Sequence, residues 1–282
     1  MPELPEVERG RLVAASVARG RRIDQVTCAE DAIVFNGTSP AHFRHQLLGE
    51  RVEDVFRLGK QLWFELESPP HPLFHFGMTG AFHTRSSKAL QLKAGPKDES
   101  AVWPPRFAKI RLYFDDGGEL VMTDARRFAR IRLRRSPRHE PPISELGFDP
   151  LLDMISQPQF TAALATRRIT LKSALLNQRF IAGLGNWMAD EIAYQARVDP
   201  RTHCSDLTDA ECKNIWQAIG EVVRVAVTHN AEDTLYPAEW LFHRRWNLGR
   251  GVTPVAGERV EFMTVGGRTT AWVPTRQGQQ GS

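Results

Sequence analysis

Residues 173–191 read SALLNQRFIAGLGNWMADE, and this stretch decides the fold of the C-terminal half. Its apolar residues recur at helical spacing on both sides of Gly183 and Gly185, so we predict two helices joined by a glycine turn. Asn186 follows the second glycine and is predicted to cap the second helix. The free N–H groups at such a helix start can hold a phosphate oxygen. The stretch therefore predicts a helix-turn-helix unit with an anion-binding end.

The segments beyond this unit continue the helical pattern and then change it. Helical spacing begins near Gln159, and Thr208 followed by Glu211 is a capping box that predicts a helix to about Val227. Residues 258–265 then alternate like a strand. Gly266 and Gly267 supply a tight turn after them, so residues 268–273 are predicted to return as the partner strand of a hairpin.

The N-terminal half has a different period. After a first helix ending near Gly20, the chain reads as short strands separated by turn signals. The predicted strands are residues 52–56, 61–66, 73–76, 110–114 and 119–123. Residues 115–118 read DDGG, a strong hairpin signal, and this half is predicted to be a β-sandwich.

Four prolines mark residues 136–150 as a linker between the two halves. We therefore predict an α+β fold, with an N-terminal β-sandwich and a C-terminal helical domain that ends in a β-hairpin. The predicted boundaries are 1–135 for the sandwich, 136–150 for a hinge linker, 151–250 for the helical domain and 251–282 for the hairpin.

The first residues of the chain, MPELPEVE, carry a possible reaction centre. Removal of Met1 leaves the secondary amine of Pro2 beside the carboxyl group of Glu3. An α-amine has a pKa of about 7.7 to 8.0 against about 10.4 for lysine, so part of it is neutral and nucleophilic near pH 7. Glu3 is placed to act as a general acid. The alternative is a stiffened terminus whose acids merely favour the start of a helix.

Charge and cysteine content bound the functional class. The net charge is +4, and residues 126–138 hold seven arginines and no acid, alternating with apolar residues as in a strand with a basic edge. Such an edge suits phosphate, although a solvated surface strand has the same pattern. Cys28, Cys204 and Cys212 form no CxxC pair, which argues against disulfides and a cysteine zinc site. Without a signal peptide or membrane span, we expect a soluble intracellular protein.

Five segments together resemble the formamidopyrimidine-DNA glycosylase and endonuclease VIII family, in the family's order from Pro2 to Gln277. They are the N-terminal octet, the segment around Lys60, the sequence HFGMTG at residues 75–80, the segment DARRF at residues 124–128, and the helix-two-turn-helix stretch with its following hairpin. The resemblance implies a bifunctional DNA glycosylase and AP lyase of base excision repair. The implied substrate is double-stranded DNA that contains damaged bases, and this DNA is expected to lie between the two domains.

The family resemblance also implies residue roles. Pro2 would attack the sugar, Glu3 would protonate it, and Lys60 and Arg268 would position the phosphates. Met78, Arg126 and Phe128 would fill the space left by an extruded nucleotide, and Asn186 would contact the DNA backbone. Further DNA contacts are expected from His75, Arg167 and Lys172.

No cysteine lies beyond Cys212, so the C-terminal hairpin resembles the zincless finger of the plant- and fungal-type branch. We expect Phe262 and Trp272 to hold it by packing, with no metal and no cofactor. Ring-opened formamidopyrimidines and hydantoins are the implied substrates, more than 8-oxoguanine. We expect a monomer, acting in the cytoplasm or nucleoid of a bacterium or in the nucleus of a eukaryote.

Two other functions fit parts of the pattern. A non-catalytic DNA-binding protein could keep the helix-turn-helix unit and the basic edge. A pure glycosylase that activates water would need no terminal amine and would release an intact abasic strand.

Overall fold

The computed structural model describes residues 1–87, 102–246 and 258–278. The chain divides into two compact units, Met1–Glu145 and Leu146–Ser282. The predicted boundary between helical domain and hairpin, at residues 250 and 251, lies outside the described residues. No helix in the described ranges is long and apolar enough to cross a membrane.

The first unit begins with helix α1 (Leu4–Ala18) and contains a second helix, α2 (Pro40–Leu47). Its described residues form eight strands: β1 (Ile23–Cys28), β2 (Val52–Leu58), β3 (Gln61–Leu66), β4 (His71–His75), β5 (Ala81–His83), β6 (Ala108–Phe114), β7 (Glu119–Thr123) and β8 (Arg130–Arg134). Short 3-10 turns follow at Pro137–His139 and Ile143–Glu145. All the strands that the sequence predicts are present, with boundaries shifted by a few residues.

The strands form two antiparallel sheets of four, in the orders β1-β6-β7-β5 and β2-β3-β4-β8. Side chains alternate along a strand, so each sheet directs one face to a shared core. Phe64, Phe74 and Ile131 from one sheet and Leu112 and Met122 from the other are buried in that core. The β-sandwich prediction is confirmed, and its hairpin between β6 and β7 turns at residues 115–118.

The second unit is helical. It contains α3 (Gln157–Ala165), α4 (Leu171–Leu176), α5 (Asn186–Ala196), α6 (Asp209–Thr228) and a final short helix, α7 (Pro274–Gln277). Three 3-10 turns lie at Cys204–Asp206, Asp233–Leu235 and Leu241–His243. Thr208 and Glu211 form the predicted capping box at the start of α6.

Helices α4 and α5 are the two helices predicted around the glycine turn, and a hairpin of β9 (Glu261–Val265) and β10 (Arg268–Trp272) packs against them. Gly266, at the hairpin tip, has a φ of +58°, a conformation that disfavours side chains. A Cβ atom there would also lie 2.6 Å from Ser173 Oγ, so the tip approaches α4 closely. The predicted α+β fold with a helix-two-turn-helix unit and a terminal hairpin is confirmed.

Candidate functional site

The N-terminal residues are enclosed by the first unit. Pro2 and Glu3 are buried, and Glu3 precedes α1 as its N-cap residue. The Glu3 N–H donates to Glu6 Oε2 at 2.8 Å as part of a capping box. The terminus is therefore held in one place by the helix that follows it, which is what a reacting amine requires.

The electrostatics of the terminus favour a neutral amine. Burial lowers the pKa of the terminal amine, which in this chain belongs to Met1. Glu3 and Glu6 oppose that shift, while Lys60 and Arg126 add to it. Burial, together with the Glu3 carboxylate, raises the pKa of Glu6 to about 7. Four charged side chains from three segments of the sequence therefore act on the terminal amine, namely those of Glu3, Glu6, Lys60 and Arg126. Removal of Met1 would place the amine one residue nearer to Glu3.

Lys60 lies in the turn between β2 and β3 and is 9% exposed. Two residues that sequence reasoning missed hold this turn. The buried Arg57 guanidinium donates to the Gly59 carbonyl at 2.9 Å and to Glu8 of α1 at 2.9 Å. Burial raises the pKa of Glu8, but hydrogen bonds from Arg11 and Arg57 outweigh it and leave that pKa lowered. The pair joins the Lys60 turn to the helix that carries the terminus.

His75, at the end of β4, is a neutral imidazole at pH 7. Burial lowers its pKa to about 4, and Lys60, Arg132 and Arg130 contribute to the shift. The Gly77 N–H donates to Nδ1 at 3.1 Å, so the ring proton resides on Nε2. His75 is therefore a neutral hydrogen-bond donor beside a group of cations.

The loops that carry Met78, Arg126 and Phe128 form one connected structure. Phe128 is 49% exposed, and the Arg126 guanidinium lies 5.3 Å from the centre of its ring. Gly77 has a φ of +60°, and a Cβ atom there would lie 2.4 Å from the Phe128 carbonyl oxygen. The two loops can approach this closely only because residue 77 is glycine.

A buried carboxylate joins these two loops. Asp124 is fully buried and accepts from Thr79 Oγ1 at 2.8 Å, from the Arg126 N–H at 3.2 Å and from the Ala129 N–H at 2.7 Å. Sequence reasoning treated Asp124 only as the first letter of the DARRF segment. Its partners fix both loops at once, because one carboxylate can accept several hydrogen bonds.

The loop between Asp124 and Ala129 has a second attachment. Arg127 has a φ of +58° and donates to Asp31 at 3.0 Å, and Lys109 Nζ lies 2.8 Å from the same carboxylate. Asp31 keeps its pKa well below the usual range despite its burial, through hydrogen bonds from Arg127 and Lys109. Sequence reasoning missed this contact.

In the second unit the N-cap residue of α5 is Gly185, and Asn186 is the first residue of the helix, so the prediction that Asn186 caps this helix is wrong. Its amide Nδ2 donates to the Thr269 carbonyl of β10 at 3.0 Å. Its Oδ1 is buried and has no hydrogen-bond partner among the described residues. The start of α5 and the hairpin are thus directly joined.

Lys172 is enclosed, which changes the role that the sequence suggests for it. Its side chain is fully buried, and its Nζ contacts Asp190 and donates to the Thr269 carbonyl at 3.2 Å. Arg245 donates to the other Asp190 oxygen at 2.8 Å, and the Ala271 N–H donates to that oxygen at 3.2 Å. A buried lysine needs such a carboxylate partner. Lys172 therefore holds the hairpin and has no surface from which to reach a phosphate.

The hairpin presents Arg268, which is exposed at the start of β10. Of the two residues expected to hold the hairpin, Trp272 is buried with the Arg201 guanidinium 4.5 Å from its ring, and Phe262 is half-buried. The hydrogen bonds to Asp190, Lys172 and Asn186 add to this packing. Among the described residues, no group of three or more histidine, cysteine or acidic side chains could hold a metal ion.

Arg167 follows α3 and is half-buried. Its guanidinium lies 3.7 Å from the centre of the Phe180 ring and also bonds the Ala163 carbonyl. These contacts hold the Arg167 side chain against the Phe180 ring and the end of α3.

Family models match almost the whole chain. The formamidopyrimidine-DNA glycosylase N-terminal domain matches residues 1–131, its H2TH domain residues 146–236 and the glycosylase-like C-terminal domain residues 240–274. A formamidopyrimidine-DNA glycosylase from Arabidopsis thaliana is 42% identical over 277 residues, covering 98% of this chain and 71% of the relative. One from Thermus thermophilus is 31% identical and covers 99% of each chain.

Solved structures agree in fold. The crystal structure of the MutM (Fpg) protein from Thermus thermophilus superposes with a TM-score of 0.76 and 31% identity, covering 99% of this chain and 100% of that one. The Lactococcus lactis enzyme bound to DNA containing an AP site has a TM-score of 0.78 at 22% identity, covering 98% of this chain and 100% of that one, and shows the shared fold.

Proposed function

The chain belongs to the formamidopyrimidine-DNA glycosylase family and is a DNA glycosylase and AP lyase of base excision repair, and we propose that the amine of Pro2 is its reactive group. The main support is the state of the N-terminus. Pro2 is buried beside the capping box of Glu3 and Glu6, burial lowers the pKa of the terminal amine, which belongs to Met1 in this chain, and Lys60 and Arg126 lie near that amine. A lowered pKa increases the neutral, nucleophilic fraction of a terminal amine near pH 7.

The proposed reaction runs in two stages. The Pro2 nitrogen attacks C1′ of the damaged nucleoside while Glu3 protonates the sugar ring oxygen. The bond from C1′ to the base breaks, and the base leaves with a proton. The bond from C1′ to the protonated ring oxygen then breaks, and the nitrogen lone pair forms the iminium that links protein to the opened sugar. Loss of a C2′ proton expels the 3′ phosphate, and a second elimination expels the 5′ phosphate. Water hydrolyses the iminium and releases the sugar fragment, so a one-nucleoside gap remains.

We propose that Met78, Arg126 and Phe128 occupy the space of the extruded nucleotide. Extrusion costs a few kcal/mol of stacking and pairing, which an apolar side chain and a hydrogen-bonding arginine offset. The exposed Phe128 ring and the Asp124 attachment of both loops support this role, because a rigid insert loses little entropy on binding.

Phosphate contacts are proposed for Lys60, His75, Asn186 and Arg268, with a further contact from Arg167. The neutral His75 ring offers an N–H donor, and the Arg268 guanidinium can donate to two oxygens in parallel. Lys172 acts through the hairpin that it supports. The proposed partner is double-stranded DNA with formamidopyrimidine or hydantoin lesions. The proposed location of the protein is the cellular compartment that contains DNA.

Borohydride trapping on a duplex with one formamidopyrimidine tests the proposal. The wild-type protein with Met1 removed should form a covalent adduct, and Pro2→Gly should form much less of it, because a primary amine replaces the secondary amine whose adduct is always a charged iminium. Pro5→Ala is the matched control, since Pro5 lies in the first turn of α1 and has no reacting nitrogen.

Each other outcome points to a different function. An intact abasic strand without an adduct would identify a glycosylase that activates water. Binding without base release would identify a non-catalytic protein. Full trapping by Pro2→Gly, or by protein that retains Met1, would remove Pro2 from the mechanism.

A further inference from the structure

Strand β8 carries a row of three arginines that the proposed reaction does not use. Arg130, Arg132 and Arg134 alternate with Ile131, which is buried in the sandwich core, and with the partly buried Leu133. The arginines therefore share the opposite face of the sheet. Because β8 is the last strand in the order β2-β3-β4-β8, this row runs along a sheet edge.

The row has little negative charge to balance it. Arg132 Nε donates to the neutral Asn36 amide at 2.9 Å, and Arg130 Nη1 donates to the Ala129 carbonyl at 2.7 Å. Within the described residues, the only carboxylate within 4.0 Å of the row is that of Glu140, 3.9 Å from Arg134 Nε. Burial, Arg134 and Arg130 together lower the pKa of Arg132. Crowded cations of this kind favour a polyanionic partner.

Other arginines of the same unit have a carboxylate partner within the protein. Arg127 meets the buried Asp31, and Arg57 meets Glu8. Arg111 on β6 meets the buried Glu119. Those arginines have carboxylate partners within the protein, whereas Arg130 and Arg132 have none within 4.0 Å among the described residues.

The position of the row indicates which ligand. In the strand register Arg130 lies opposite His75, and Lys60 and both Arg130 and Arg132 act on the pKa of His75. The row thus begins beside two proposed phosphate contacts and extends about 13 Å along β8 at roughly 3.3 Å per residue. That length corresponds to about four nucleotide rises of about 3.4 Å.

The exposed Arg138, in the 3-10 turn after β8, lies over the same sheet face. The Arg138 guanidinium lies 5.1 Å from the centre of the Phe56 ring and 5.0 Å from that of Trp63. Trp63 is in register with Leu73, which pairs with Arg132. The face is therefore basic along its edge and covered by an arginine over its aromatic part.

We propose that Arg130, Arg132 and Arg134 bind the phosphate backbone of duplex DNA several nucleotides away from the damaged base. The inference rests on the proposed function and extends it, because it assigns a contact surface outside the reaction centre. Each phosphate neutralised by an arginine releases counterions, so the row should appear as a dependence of affinity on both duplex length and salt.

Binding of the full chain to duplexes with a stable abasic analogue tests the row without turnover. Two duplexes of about 12 base pairs carry the analogue about two base pairs from the 5′ or from the 3′ end, and each has a long counterpart in which that short side is extended to about 30, so that the flank reached by the row is revealed. Wild-type protein should bind one long duplex more tightly and with a steeper salt dependence. The double variant Arg132→Gln with Arg134→Gln should bind the long duplex no more tightly than the short one. The magnitude of its slope of log K against log salt should be smaller by about two.

The controls separate charge from packing. Arg132→Lys with Arg134→Lys should keep the slope, since each lysine still neutralises one phosphate. Arg51→Gln with Arg224→Gln removes two surface arginines that already pair with Glu53 and Glu221, and should bind as wild type does. If the double glutamine variant fails to fold, Arg134→Gln alone should lower the slope by about one.

The proposal is overturned if the folded glutamine variants keep the wild-type length and salt dependence on both long duplexes. Trapping on the short lesion duplex is run in parallel. Absence of a wild-type adduct there contradicts the proposed function, whereas a normal adduct with unchanged binding by the variants contradicts only the role of the row.

Discussion

Each unit of this protein joins its site-bearing segments through one fully buried aspartate, but the two aspartates have different partners. Asp124 in the first unit accepts from a hydroxyl and two backbone N–H groups. Asp190 in the second unit accepts from Lys172, Arg245 and one backbone N–H. The first carboxylate orders neutral loop groups, and the second also neutralises two buried cations. Loss of the second should therefore be far more costly, since it leaves charge without a counterion in a dry interior.

The largest expected effect is that of Asp190→Asn. The variant leaves Lys172 and Arg245 buried without a carboxylate, and we expect the free energy of unfolding to fall by about 3–5 kcal/mol. Urea unfolding measures the total, and hydrogen exchange of peptides from residues 258–278 locates it at the hairpin. Lys172→Met is the matched control, because it leaves Asp190 paired with Arg245 and should cost less. Equal losses in the two variants would contradict the charge argument.

A second prediction concerns pH, because α5 also buries Glu191. Burial raises its pKa from 4.5 to about 7, against hydrogen bonds from Gln195 and the Phe242 N–H. A raised pKa in the folded state means that stability is greatest below pH 4.5 and declines as pH rises towards 7, by up to about 3 kcal/mol. Glu191→Gln should remove that decline. The difference in unfolding free energy between wild type and variant, measured from pH 4 to 8, would be constant if the prediction is wrong.

The third prediction concerns Asp124, the carboxylate that accepts only from neutral groups. Asp124→Asn keeps one acceptor oxygen and introduces an N–H₂ group either where Thr79 and Arg126 donate or where Ala129 donates. We expect a loss of about 1–3 kcal/mol, smaller than that of Asp190→Asn. Because both loops should loosen, 2-aminopurine fluorescence opposite the lesion should also report slower nucleotide extrusion. A loss as large as that of Asp190→Asn would remove the distinction between the two carboxylates.

The smallest expected effect is that of Thr79→Val, which deletes one hydrogen bond to Asp124 with little change in shape. The expected loss of unfolding free energy is about 1 kcal/mol, with a matching decrease in the extrusion signal. Thr27→Val on the exposed face of β1 is the control and should leave both quantities unchanged. If Thr79→Val leaves the extrusion signal at the wild-type level, the bond between the loops has no functional role.

The parts of the fold that sequence predicted correctly all depend on nearby residues. The DDGG turn, the capping box of Thr208 and Glu211, and the glycine turns before Asn186 and Arg268 each act over a few positions. Hydrogen bonds and backbone conformations at that range depend little on the rest of the chain. The site residues of these segments remain proposals, but their elements were predictable.

The supporting contacts were not predictable from local patterns. Asp31 and Arg127 are 96 residues apart, Glu8 and Arg57 are 49 apart, and Asp190 and Ala271 are 81 apart. Each is an ordinary charged or polar residue in its own segment, with no spacing that identifies a partner. Lys172 illustrates the limit, because a lysine near a phosphate-binding turn suggests a ligand contact until its burial is known.

The amino-acid sequence by itself determined the α+β class, the helix-two-turn-helix unit, the terminal hairpin and the family, because these depend on periodicity, turn residues and motif order. Only the tertiary structure decided which charges are neutralised inside the protein and which have no carboxylate partner among the described residues. That division depends on contacts between distant segments, where burial makes an unpaired charge costly. Lys172 and Arg127 are paired with carboxylates of distant segments, whereas Arg130 and Arg132 of β8 have no carboxylate within 4.0 Å among the described residues.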